Sequence, residues 1–107
     1  MSLAIPSEQL RSSQRPVPLR GRKDLVVQQV EFQGVIHYVI KDPVGLTYHR
    51  LRSDQFLVLQ LLDGQRHLEQ IRDEMVRAFP AVQPTMNDAQ HLIADLHQKG
   101  LVYGVRP

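Results

Sequence analysis

Residues 55–71, QFLVLQLLDGQRHLEQI, predict two short helices joined at a turn, Asp63-Gly64. The apolar run before that turn leaves little polar surface, which predicts a helix enclosed by the rest of the domain. The segment after the turn has apolar side chains at spacings of three and four and stops at Pro80, the pattern of an amphipathic helix. We therefore expect the centre of the hydrophobic core here.

The sequence before this helix pair alternates with the period of two that is typical of strands. Residues 26–32 alternate, the turn Gln33-Gly34 comes next, and the β-branched run 35–41 returns. A second turn at 42–45, containing proline and glycine, leads into the alternating residues 46–51. The pattern predicts three antiparallel strands in a meander.

The sequence after the helix pair predicts a third helix. Thr85 and Asp88 have the spacing of a capping box at its start, and Gly100 closes it. Residues 101–103 are a candidate for a short C-terminal strand. The predicted class is α+β and winged-helix-like: a three-stranded antiparallel β-meander followed by three helices that share one core.

The charge distribution divides the chain at residue 24. Residues 1–24 contain five basic and two acidic side chains together with three prolines, whereas the whole chain has a net charge of only +2. We expect residues 1–24 to form a flexible basic N-terminal segment and residues 25–107 to form the folded domain.

The residue composition and the motifs present argue against catalysis and metal binding. Cysteine is absent, which excludes disulfides, thiolate metal sites and a cysteine nucleophile. The five histidines have no metal-binding spacing, and no glycine-rich or serine catalytic motif is visible. We expect no enzymatic activity, no catalytic or metal-binding residue and no cofactor. No apolar run approaches the roughly 20 residues of a membrane span, so we expect a cytoplasmic chain that does not insert into a membrane.

DNA binding is an alternative that the third helix disfavours. This helix, TMNDAQHLIADLHQK, has Asp88 and Asp95 against the single Lys99. Affinity for DNA comes largely from basic side chains that face phosphates, so an acidic recognition helix fits poorly. Nucleic acid is therefore not the expected partner.

The third strand is the remaining candidate for function. A strand at the edge of a sheet exposes unpaired amides and carbonyls, and an extended peptide or protein segment can pair with them. Two alternatives stay open at this point. In the first alternative the N-terminal segment would cover the edge of the third strand, and in the second another copy of the chain would cover it in a homodimer.

Residues 38–79, YVIKDPVGLTYHRLRSDQFLVLQLLDGQRHLEQIRDEMVRAF, resemble the PqqD-like domains, the peptide-recognition elements of ribosomally made peptide pathways. The resemblance extends from about Val26 to Tyr103. His67 stands where such domains commonly have serine or threonine, so we expect a slightly weaker helix start there. The resemblance implies a peptide that pairs with the third strand and packs on the third helix. By position, the implied peptide-binding residues are Leu46, Thr47, Tyr48, His49, Arg50, Gln90, His91, Ala94 and His97.

The opening of this stretch, YVIKDPVGLTYHRL, is similar to an N-terminal cytoplasmic module of large bacterial membrane proteins, notably planctomycete site-2-protease-like peptidases. This similarity implies a second hypothesis. The domain would be a regulatory or assembly module on the cytoplasmic face of a larger membrane peptidase or secretion protein. Its partner would then be the remainder of that protein.

Overall fold

The computed structural model describes residues 14–105 and confirms the α+β class. A three-stranded antiparallel sheet is followed by three helices and a short C-terminal strand. The elements in chain order are β1 (Leu19–Gly21), β2 (Val26–Phe32), β3 (Val35–Asp42), β4 (Thr47–Arg52), α1 (Ser53–Leu61), α2 (Leu68–Ala78), α3 (Met86–Gln98) and β5 (Val102–Gly104).

The main sheet has the order β2-β3-β4, and its register is fixed by burial on one face. Gln33 and Gly34 have φ values of 52° and 79°, as a two-residue hairpin turn between β2 and β3 requires. Ile40 on β3 and Leu51 on β4 are fully buried and belong to the core that also contains the inward side chains of the helices. A slip of β4 by one residue against β3 would turn Leu51 to the solvent face, so the burial of both side chains specifies the pairing.

The starts of α2 and α3 are both capped by reciprocal hydrogen bonds. Thr85 Oγ1 accepts from the Asp88 amide at 3.1 Å while Asp88 Oδ2 accepts from the Thr85 amide at 2.9 Å, as the capping-box pattern predicts. At α2, His67 Nδ1 accepts from the Gln70 amide at 3.3 Å, and Gln70 Oε1 accepts from the His67 amide at 3.0 Å. An imidazole nitrogen thus occupies the place of the usual hydroxyl, through a longer bond.

The N-terminal segment differs from the expectation of a flexible leader over residues 1–24. Leu19–Gly21 form β1, which pairs antiparallel with β5 so that Leu19 lies opposite Gly104. The amide of Val17 also donates to the Arg66 carbonyl at 2.9 Å. These residues are part of the folded unit, whereas residues 1–13 lie outside the described range. The strand expected at the C-terminus is present and is completed by this N-terminal partner.

Arg22 ties the N-terminal segment to the turn between β3 and β4. Its Nη1 and Nη2 atoms donate to the two carboxylate oxygens of buried Asp42, each at 2.9 Å. Nη2 also contacts Asp24 at 2.6 Å, and Nη1 donates to the Gly100 carbonyl at 3.1 Å. One guanidinium therefore joins the N-terminal segment, the sheet and the end of α3.

The same carboxylate shapes the turn itself. Asp42 Oδ1 accepts from the amides of Val44 and Gly45 at 2.9 and 3.0 Å. The Arg22 guanidinium, and then these amides, hold the pKa of Asp42 well below its usual range. Asp42 is thus ionised, and its carboxylate links the Arg22 guanidinium to the turn between β3 and β4.

None of the helices in residues 14–105 is both long enough and apolar enough to cross a membrane.

We expect replacement of Leu96 by alanine to lower the free energy of unfolding by about 2–5 kcal/mol, because the side chain is fully buried on α3 and its loss leaves a cavity. Chemical denaturation measures the change. Val44→Ala is the matched control, since Val44 is 78% exposed and its loss should change the free energy by less than about 0.5 kcal/mol. Equal losses in both variants would contradict the assigned core.

We also expect stability to fall on acidification through Asp42. Because its folded-state pKa is lowered, its contribution is complete above the unfolded value of about 3.9 and is lost as the pH falls below it. Asp42→Asn and Arg22→Met should each be less stable at neutral pH and lose less stability than the wild type between about pH 5 and pH 2. Thermal unfolding across that range measures this. If the stability of Asp42→Asn depended on pH as that of the wild type does, ionisation of Asp42 would not be coupled to folding.

Candidate functional site

The outer edge of β4 is open in the described part of the chain. The sheet ends at this strand, and no other strand of residues 14–105 pairs with its outer side. The short sheet formed by β1 and β5 is a separate unit. Neither the N-terminal residues from 14 onward nor β5 extends the main sheet here. The strand therefore retains a row of peptide groups that can bind another strand.

The direction of the peptide groups is indicated by one hydrogen bond. The carbonyl of Ile36 accepts from Ser53 Oγ at 3.3 Å, so the peptide groups of Ile36 point toward the side of β3 on which β4 lies. In an antiparallel strand these directions alternate, so Tyr38 and Ile40 also face β4. Their partners Leu51 and His49 must face back toward β3.

The alternation leaves the peptide groups of Tyr48 and Arg50 pointing out of the sheet. Their side chains lie on the sheet face opposite to the core, since the intervening Leu51 and His49 pair with residues of the buried face. Each of these two residues thus offers an outward amide donor and an outward carbonyl acceptor. They are the open part of the edge.

The edge ends where the chain leaves the sheet and enters α1. Helix α1 begins at Ser53, and its cap position is Arg52. Gln55 Oε1 accepts from the Arg52 amide at 2.8 Å. The outward donor of Arg52 is therefore already used within the chain, and the Ser53 hydroxyl binds the Ile36 carbonyl instead of capping the helix.

A cleft of about 550 Å³ begins at this point, beyond the last residue of β4. It is enclosed by the start of β3, the start of α1, the end of α2, the loop after α2 and the start of α3. Its apolar wall consists of Val35, Ile36, Met75, Phe79, Val82, Pro84 and Leu92. Its polar rim consists of His37, Arg52, Ser53, Asp54, Asp88 and His91. The size and lining suit a bulky apolar side chain.

The carboxylates of this rim are engaged within the chain. Asp54 Oδ1 contacts Arg52 Nε at 3.1 Å and accepts from the Gln55 amide at 2.9 Å. The hydrogen bonds from the amide and then the hydroxyl of Thr85 lower the pKa of Asp88 from its usual value. Both acids are therefore committed to helix starts, and neither is arranged as a proton donor or a metal ligand.

One polar atom of the cleft residues is unsatisfied. His37 Nδ1 is buried and has no hydrogen-bond partner in residues 14–105. A buried polar atom without a partner costs about 1–3 kcal/mol. His37 lies opposite Arg52, and these two residues form the last pair of the β3–β4 ladder.

The predicted site residues fall into three places. Thr47, Tyr48, His49 and Arg50 lie on β4, as expected, whereas Leu46 lies in the preceding turn with a φ of 55°. The strand begins one residue later than predicted, so Leu46 offers no ladder position. His91 lines the cleft at the end of β4.

The remaining three predicted residues lie on another side of α3. Gln90, Ala94 and His97 border a separate concavity of about 490 Å³, together with the N-terminal residues 15–19. A helix turns by about 100° per residue, so Gln90 and His91 cannot share one groove with equal access. The structure thus places His91 at the cleft beyond the end of β4 and the other three predicted residues at a separate concavity.

The cleft residues on α2 and on the loop after it were not among the predicted site residues. Met75 and Phe79 form part of the apolar stripe that predicts a core-facing helix, and Pro84 is buried before α3. A stripe position that faces the core and one that faces a cleft have the same sequence pattern. No local signal distinguishes them.

Residues 14–105 contain no cluster of metal-ligating side chains. Within residues 14–105, no group of three or more histidine, aspartate or glutamate side chains could hold a metal ion. The site is therefore described by a strand edge, an apolar cleft and hydrogen-bonding groups.

Comparison with known protein families gives one match. The family described as "Coenzyme PQQ synthesis protein D (PqqD)" matches residues 37–102, more than half of the 107-residue chain. The matched segment contains β4, all three helices and β5 up to its first residue. No curated protein and no solved structure matches the chain.

The open edge predicts an alternating pattern of amide hydrogen exchange. His49 and Leu51, whose amides face β3, should exchange at least about tenfold more slowly than Tyr48 and Arg50, whose amides face solvent. Exchange followed by ¹⁵N-resolved NMR measures all four. Equal protection along β4 would mean that its outer side is already paired.

Proposed function

The chain belongs to the PqqD family, and on this premise we propose that it is a non-catalytic recognition domain that binds an extended peptide or protein segment along the outer edge of β4. The family consists of peptide-binding partner domains, which agrees with this class of function. The bound segment adds a fourth strand to the sheet, and no covalent step is involved.

One observation carries the proposal: the outward peptide groups of Tyr48 and Arg50. Two residues spaced by two along an edge offer two donors and two acceptors, the pattern that an added strand needs. Main-chain hydrogen bonds supply affinity without regard to sequence. Selectivity must then come from side chains beside the edge.

The cleft beyond Arg52 supplies one source of that selectivity. It lies in line with β4, so a segment paired with the edge would reach it within a few residues. An apolar side chain of the segment would pack on Phe79 and Leu92. His91 lines the rim of the same cleft. In this proposal α3 contributes through His91 and Leu92.

DNA binding is the weaker alternative. The lowered pKa of Asp88 keeps its carboxylate charged at the start of α3, and Asp95 pairs with Lys99 at 2.6 Å. Because Lys99 is paired with Asp95, it is less able to contact a DNA phosphate. The context of a larger membrane peptidase, the cytoplasmic location and the homodimer stay predictions from the sequence.

We expect Arg50→Pro to weaken the binding of a peptide selected from a random library on the wild-type protein. Proline removes the outward amide of position 50, while the β3–β4 ladder, which uses positions 49 and 51, stays intact. The loss of an edge hydrogen bond together with the ring's obstruction should weaken binding by at least about tenfold. Fluorescence anisotropy with the labelled peptide measures the dissociation constant.

Two controls separate the backbone from the side chain and from general damage. Arg50→Ala keeps the amide and should retain more affinity than Arg50→Pro. Gln29→Pro places the same ring on the opposite edge strand, β2, and should bind like the wild type. Failure to select any peptide, or unchanged binding by Arg50→Pro, would refute the proposed site.

A further inference from the structure

The sheet face that carries the side chains of Tyr48 and Arg50 has an uncompensated positive charge beside the open edge. The side chains on this face of β3 and β4 alternate with the buried ones and include Lys41, Arg50 and Arg52. No acidic residue of the three main strands shares this face, because Glu31 and Asp42 belong to the opposite one. Of the three basic side chains, Arg52 forms a salt bridge, with Asp54.

Lys41 and Arg50 lie close to each other without an acidic partner. Lys41 is directly opposite Tyr48, two residues from Arg50, so the two basic side chains are diagonal neighbours about 7–8 Å apart. Neither forms a salt bridge within residues 14–105. Lys41 Nζ lies 5.9 Å from the centre of the Tyr48 ring, which keeps the ammonium over β4. Two like charges held beside an open strand favour an anion between them.

We propose that the segment bound at this edge is acidic, with an aspartate or glutamate directly opposite Arg50. This inference rests on the proposed function and adds the chemical class of the ligand. Residues that face each other across antiparallel strands place their side chains on the same face, with Cβ atoms about 4.5–5.5 Å apart. The carboxylate of the residue opposite Arg50 therefore lies beside the guanidinium and within reach of Lys41.

The same geometry defines the neighbours of this acidic residue. The residues before and after it point to the other face of the extended sheet, where His49 and Leu51 lie. The one nearer to Leu51 is directed toward the apolar cleft. The recognised segment is thus an acidic residue adjacent to a bulky apolar one. The opposite edge strand, β2, has only Glu31 as a charged side chain and does not offer this combination.

Selection from a library of random peptides, performed in parallel on the wild type and on Arg50→Glu, tests the inference. Peptides selected on the wild type should be enriched in aspartate or glutamate at one position next to an apolar residue. Replacing that acid by its amide should weaken binding about two- to fivefold, and less at high salt, as expected for an exposed charge pair. Arg50→Glu should bind the acidic peptide more weakly than this and should select lysine or arginine at the same position.

Arg77→Glu is the matched control, because it makes the same change of charge on α2, where the side chain is 76% exposed. It should select the same acidic peptides as the wild type. Peptides without an acid preference, or an identical preference in Arg50→Glu, would overturn the inference while leaving strand addition intact. A loss of the acid preference in Arg77→Glu as well would assign it to net charge and also overturn the inference. Selection of no peptide would overturn the proposed function itself.

Discussion

The burial of Ile40 and Leu51 beneath the helices aligns β4 with β3 and thereby positions the candidate site. Both side chains are fully buried, and a slip of β4 by one residue against β3 would expose Leu51. The register of β4 against β3 also determines which peptide groups of β4 face outward. A packing requirement in the core thereby places the amides of Tyr48 and Arg50 on the open edge, although neither residue contributes to the core.

The exit of the chain from the sheet at Arg52 creates the second part of the site. Because α1 begins at Ser53, β4 stops while β3 extends two residues further, and the space beside Ile36 and Val35 becomes the mouth of the cleft. The Gln55 side chain closes the last outward amide of the strand. The helix start therefore limits the edge to a short segment, beyond which an apolar recess opens.

The N-terminal segment shows how composition alone can miss structure. Prolines and arginines predict a flexible basic leader, yet Arg20 donates two hydrogen bonds to the Asp63 carbonyl and Arg22 bridges Asp42 and Asp24. Part of the basic charge assigned to the leader thus stabilises the fold. The three-residue strand β1 gives no periodic signal, and its partner β5 lies at the other end of the chain, so its formation depends on contacts between distant parts of the sequence.

The α+β class, the order of the elements, the hairpin at Gln33-Gly34 and the cap at Thr85 could be predicted from the sequence, because each depends on residues within a few positions of one another. The sequence also indicated that residues 47–50 form a strand. The tertiary structure was needed to place Leu46 before that strand and His91 at the cleft beyond its end. It was also needed to place Gln90, Ala94 and His97 at another concavity and Met75 and Phe79 on the wall of the cleft. These outcomes depend on how helices rotate and pack against the sheet, and a stripe of apolar residues has the same spacing whether it meets a core or an open groove.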